Sequence, residues 1–162
     1  MKFIDKVTDL VGIFSAFVLA VLVLLVVYDA TARYLFSTGS VALQELEWHL
    51  FDIVIMLGIA YALKEGAHVR VDIFYDRFSK RMQHIIDIIT IVLFVLPVSF
   101  LIIYVSYDFV LMSFEQLERS SDAGGLPFRF LIKSLIPLAF AFVVLQALRE
   151  VIGSYTKLKA QS

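Results

Sequence analysis

From Leu10 to Tyr28 the chain runs nineteen residues without a charged side chain, and from Ile88 to Tyr107 it runs twenty. A helix of about 20 apolar residues matches the hydrocarbon thickness of a bilayer, and buried backbone in lipid must satisfy its own hydrogen bonds, which favours helices. Apolar and aromatic residues make up 60% of the chain, against about 45–50% in soluble domains. Lipid is therefore its solvent. At about 20–25 residues per span, four spans nearly exhaust 162 residues. The expected fold is an all-α integral membrane protein, a single domain with spans at about 8–34, 43–64, 85–111 and 127–153.

The first span ends with Asp29 and Arg33, four apart and able to neutralise each other on one helix face. Ala30-Thr31-Ala32 resembles a cleavage site, but the apolar run before it is longer than the about 7–15 residues of a signal peptide. Residues 37–40 read as a turn. The second span has only eleven consecutive uncharged residues, Ile53 to Leu63, and reaches membrane length only if extended back through Glu45, Glu47, His49 and Asp52. At helical spacing Glu45, His49, Asp52, Met56 and Ile59 form one stripe, expected to face protein rather than lipid. Asp52 lies deepest and needs a proton, a partner or a watery recess.

Residues 64–84 form the longest polar connection, with a short amphipathic interfacial segment between the second and third helices and Asp72 as its expected N-cap. Pro97 predicts a kink in the third helix. Pro127 is placed to be the first residue of the fourth, and Pro137 to bend it. Ten Lys and Arg fall on the side of the two termini and four on the other, so the positive-inside rule expects both termini in the cytoplasm.

A net charge of −1 gives no bulk attraction to nucleic acid, and the absence of cysteine excludes disulfides and thiolate chemistry. No phosphate-binding loop, H-E-x-x-H or nucleophile-base pattern occurs, so no catalytic, cofactor or metal residues are expected. Haem ligation is disfavoured because His49 and His84 fall at opposite ends of their helices and His68 lies in the connection. Glu45, Glu47 and Asp52 read as an ion relay or, preferably for Glu45 and Glu47, as headgroup-level residues that help dock a neighbouring subunit. Trp48 reads as an interfacial anchor. Arg129 and Lys133 read either as steering charges for an anionic solute or, more economically, as partners of Glu115, Glu118 or Asp122.

The stretch from Gln44 to Arg81, with Glu45, Glu47 and Trp48 opening a helix, Gly58 and Ala60 inside it, and H-V-R-V-D at His68 to Asp72, resembles the DctQ-like small membrane subunit of tripartite ATP-independent periplasmic (TRAP) transporters. Arg33-Tyr34, and Gly124-Gly125-Leu126-Pro127 followed by Lys133 and Pro137, extend the likeness over nearly the whole chain. The resemblance implies a small permease subunit in a bacterial or archaeal inner membrane. It would pack on a large multi-span DctM-like subunit, which would hold the solute and sodium sites. Uptake of an organic acid from a periplasmic binding protein would run on a sodium or proton gradient, the sodium gradient being the one expected, with no cofactor in this chain. Glu45, Glu47, Trp48, His49, Asp52, His68, Arg70 and Asp72 are then the candidates for the large-subunit interface, with Glu115, Glu118, Asp122 and Arg129 for the binding-protein contact. The alternatives are an autonomous four-span proton-coupled transporter, with Asp52 as coupling site, and the membrane anchor of a respiratory enzyme.

Overall fold

The computed structural model describes residues 2–66, 75 and 78–160. Four helical stretches within it are long and apolar enough to cross a membrane. The first is α1 (Lys2–Phe36) and the second α2 (Val41–Lys64). The third is continuous from α3 (Lys80–Thr90) through a π-helical turn (Ile91–Val95) into α4 (Leu96–Glu115). The fourth consists of a short α5 (Arg129–Lys133) and the long α6 (Leu135–Ala160). His68, Arg70 and Asp72 lie outside the described residues, as does most of the expected interfacial segment. The described N-cap nearest to it is Ser79, whose hydroxyl accepts from the Met82 amide at the start of α3.

Each proline acts through the hydrogen bond it cannot make. Pro97 sits in the first turn of α4, and just before it the Leu96 amide reaches back to the Ile91 carbonyl, five residues away. The expected kink thus takes the form of a π-turn, a common way for a helix to absorb a lost bond. Pro137 has no donor for the Lys133 carbonyl, and the fourth span is interrupted at Ser134, between α5 and α6. Pro127 does not open the fourth span. That helix begins at Arg129 after Phe128, which adopts a left-handed conformation (φ 63°), because the preceding loop is tied back to α2 through the Leu126 amide.

The spans lie in the order first, second, fourth, third. α6 packs against α2, against α3 and α4, and less extensively against α1, while α1 packs mainly on α2. With so little mutual covering the chain exposes 10958 Å², against about 8200 Å² for a compact soluble protein of its mass. The excess is apolar surface suited to lipid or a neighbouring protein.

Much of what the spans bury is small or polar. Thr8, Ser15, Leu22 and Asp29 on α1, and Ser99, Ser106 and Ser113 on α4, are all buried and recur every seven residues, the repeat of left-handed helix pairs. Small residues bring backbones close where lipid offers no hydrophobic drive to pair helices. Ser15 donates to the Val54 carbonyl at 2.9 Å, and a β-carbon added at Gly12 would lie 2.7 Å from Cγ of Tyr61. Ala139, Val143 and Ala147 line the buried side of α6, and the last two join Ala60, Leu63 and Ile91 in the apolar core.

Near the termini the buried polar groups are paired across spans. Thr8 donates to Gln146 at 3.0 Å, and Gln146, fully buried, donates to Glu150 at 2.9 Å. Arg149 bridges Asp5 at 2.7 Å and Glu150 at 2.8 Å, and Lys64 pairs with Asp9. Toward the other end of α1, Asp29 pairs with Arg33 as the four-residue spacing predicts.

Candidate functional site

The distal end of the bundle, opposite the termini, is organised by Glu45 in the second turn of α2. One carboxylate oxygen accepts from the Ser120 hydroxyl and from Arg129 Nη2 at 3.0 Å; the other accepts from the Leu126 amide at 2.5 Å. Three donors, from the connection between α4 and α5 and from α5 itself, thus converge on one side chain of α2. Gly125 makes room for this, since a β-carbon there would lie 2.8 Å from Glu45 Oε2. The loop closes on itself through Ser120 N–H to Leu126 O (3.1 Å) and Arg129 N–H to Glu118 O (3.0 Å). Gly124, at φ 82°, makes the turn between them.

Lys133 forms the second tie. Its ammonium pairs with Glu118 and lies 4.0 Å from the centre of the Phe109 ring, joining loop, α4 and α5 through an ion pair and a cation–π contact. The hydrogen bond from Lys133 is the largest influence holding the Glu118 carboxyl below its ordinary value of 4.5. A carboxylate depressed in the folded state stabilises it fully above the unfolded pKa and ceases to do so as pH falls through the folded one. The stabilisation from this pair is therefore expected to be present in full and independent of pH near neutrality, and the thermal midpoint in detergent to decline on acidification below about pH 4.5. Glu118→Gln should lower the midpoint at pH 7 and flatten that acid limb; an unchanged acid limb would dismiss the pair as a contributor.

Between α2 and the α5–α6 junction lies a cleft of about 560 Å³. Glu45, His49, Asp52 and Met56 of α2 line it on one side; Arg129, Ile132, Lys133 and Ile136 line it on the other, with Asp122 at the loop. The predicted stripe of α2 therefore does face protein, its first four members at the cleft and Ile59 on the apolar core. Glu47 points elsewhere, into a smaller groove of about 310 Å³ shared with Leu22, Val26 and Phe51, and one of its oxygens is buried without a partner among the described residues. Trp48 borders both spaces and is 71% exposed.

Of the two roles weighed for Arg129 and Lys133, internal pairing is what the structure contains. Lys133 takes Glu118, one of the expected acids. Arg129 takes Glu45, which the sequence reading assigned to a neighbouring subunit. Glu115 and Asp122 remain exposed on the distal surface. Ser120, Gly125 and the Leu126 amide are the members of the clamp that sequence reasoning passed over. The signal for them was present in an acidic residue opening α2 and a glycine pair preceding a basic helix start.

The sequence model of the family described as "Tripartite ATP-independent periplasmic transporters, DctQ component" matches residues 22–157, which takes in the clamp and the cleft. The chain belongs to the DctQ family. Among its DctQ relatives, the ectoine TRAP transporter small permease protein TeaB of Halomonas elongata is 28% identical over 162 residues, covering 94% of this chain and 80% of that one. The isethionate TRAP transporter permease protein DctMQ of Oleidesulfovibrio alaskensis is 26% identical over 117 residues, 72% of this chain but 18% of that much longer protein. The resemblance drawn from the residues alone is thus borne out, and with it the reading as a multi-pass membrane subunit of a transporter. The clamp and the cleft are structural features of a DctQ chain.

Proposed function

We propose that this chain is the small scaffold subunit of a TRAP transporter, packed on a large DctM-type subunit that carries an organic acid across the inner membrane on an ion gradient. A periplasmic binding protein delivers the solute to the complex. The observation that carries this reading is the isethionate permease relative, whose name joins M and Q and in which the segment similar to this chain occupies a small part of one long polypeptide. Covalent union in a relative is what constant neighbours produce. The thin row of spans supports the same reading, since it leaves broad apolar faces for a larger membrane protein and for lipid.

In this reading the termini face the cytoplasm, where ten of the fourteen Lys and Arg lie, and the distal end faces the periplasm. Exposed Glu115 and Asp122 then stand where a binding protein would approach. Relatives named for ectoine, a zwitterion, and isethionate, a sulfonate, fit a subunit that does not itself choose the solute. The coupling ion binds the large subunit in this reading, not this chain.

The test is to tag the chain at its C-terminus, purify it from native membranes in mild detergent, and identify the proteins that accompany it. A much larger multi-span protein in fixed ratio is the expected result, and uptake should be lost on deleting this chain. Purification without any such companion would overturn the proposal.

A further inference from the structure

Within the cleft the cations are already taken. Arg129 is held by Glu45 and Lys133 by Glu118, so each pair is close to neutral. Asp52 and Asp122 form no ion pair among the described residues, and His49, one turn before Asp52, is the imidazole whose charge reaches the Asp52 carboxylate. Asp122 is exposed on the loop and can be met by water. Asp52 is differently placed. It is the twelfth residue of α2, about 16 Å along a helix of about 36 Å, well inside the hydrocarbon thickness. An ionised carboxylate at that depth requires a partner or a water-filled cavity.

We propose that Asp52 receives a lysine or arginine side chain carried into the cleft by a membrane helix of the large permease subunit. The inference rests on the small-subunit reading above and names the chemistry of the contact. The lining suits such a guest. Met56, Ile132 and Ile136 offer apolar contact for the aliphatic stem of a long basic residue. Asp52 meets its charge, and about 560 Å³ holds the side chain together with ordered water. A phospholipid amine fits less well, because headgroups stay at the interface while Asp52 lies more than two helical turns beyond the start of α2. The neighbouring groove cannot supply the cation from within the chain: its described lining, Leu22, Val26, Glu47, Trp48 and Phe51, contains no basic residue.

The experiment compares wild type, Asp52→Leu and Asp52→Lys, each tagged and purified as the complex from membranes. The leucine variant removes the charge while leaving a lipid-compatible residue, and the amount of tagged chain recovered from membranes monitors its folding. The expected result is an unchanged amount of tagged chain for Asp52→Leu, with the ratio of large subunit to tagged chain at least about tenfold lower in both variants. Uptake by Asp52→Lys should then be restored by an acidic replacement of one basic residue in a membrane helix of the large subunit. Wild-type ratios in both variants would overturn the pairing and leave the subunit reading intact. The pairing is likewise overturned if Asp52→Leu keeps the large subunit but loses a bound aminophospholipid in native mass spectrometry. A wild-type chain with no large companion would overturn the subunit reading itself.

Discussion

Replacing Glu45 by alanine is expected to free the 116–128 connection from α2 and to lower the amount of folded protein in membranes several-fold. A solvent-exposed ion pair seldom has such an effect, but Glu45 is more than one half of an ion pair. Its loss leaves the Ser120 hydroxyl, the Leu126 amide and the Arg129 guanidinium without their acceptor at once. Donors orphaned at a half-buried site lose a charged acceptor that water replaces only in part. Protease added on the distal side should nick the loop in the variant and spare the wild type, while Glu45→Gln, which keeps acceptor oxygen but loses the charge, should fall between them. Equal resistance in all three would mean that the loop is held by something other than Glu45.

Ala147→Leu is expected to cost about 1–3 kcal/mol, the usual penalty for overpacking a filled core. Ala147 is wholly buried in the cluster of Ala60, Leu63, Ile91 and Val143, where α2, the π-turn and α6 meet. A leucine there must push the second and third spans away from the fourth. The drop should appear as a lower thermal midpoint in detergent, and Leu148→Ala, half exposed one residue further on, should change it far less. Indistinguishable midpoints for the two variants would show that the spans have slack at this level.

How much of this was legible in the sequence follows from what lipid does to the usual signals. The two long uncharged runs gave the first and third spans directly. The second, which carries Glu45, Glu47, His49 and Asp52, emerged only by reasoning that a polar stripe must face protein, and the cleft agrees with that. The pairing of the spans was harder to see, because the residues that meet are Thr8, Ser15, Asp29, Ser99, Ser106, Ser113 and Gln146. A search for apolar periodicity looks past such residues. Read as a seven-residue repeat of small and polar positions, two of those faces were present in the chain. Glu45 with Arg129 was hidden for another reason. The partners are 84 residues apart, and nothing local distinguishes Arg129, which took Glu45, from Lys133, which took a nearby acid. Pro127 misled because a loop anchored to α2 does not need its proline at the helix start.

The position of α6 between the second and third spans has a consequence for how the protein is made. Chains emerge from the ribosome in order, and segments begin to fold as they appear. The first two spans can settle against each other as a hairpin soon after synthesis. The third then enters the membrane with its seryl face unmatched, since its helices pack chiefly on α6. It must wait for the fourth span to be translated. Completion of the bundle is therefore tied to the synthesis of α6, and a nascent chain arrested before α6 holds a hairpin and one unaccompanied helix.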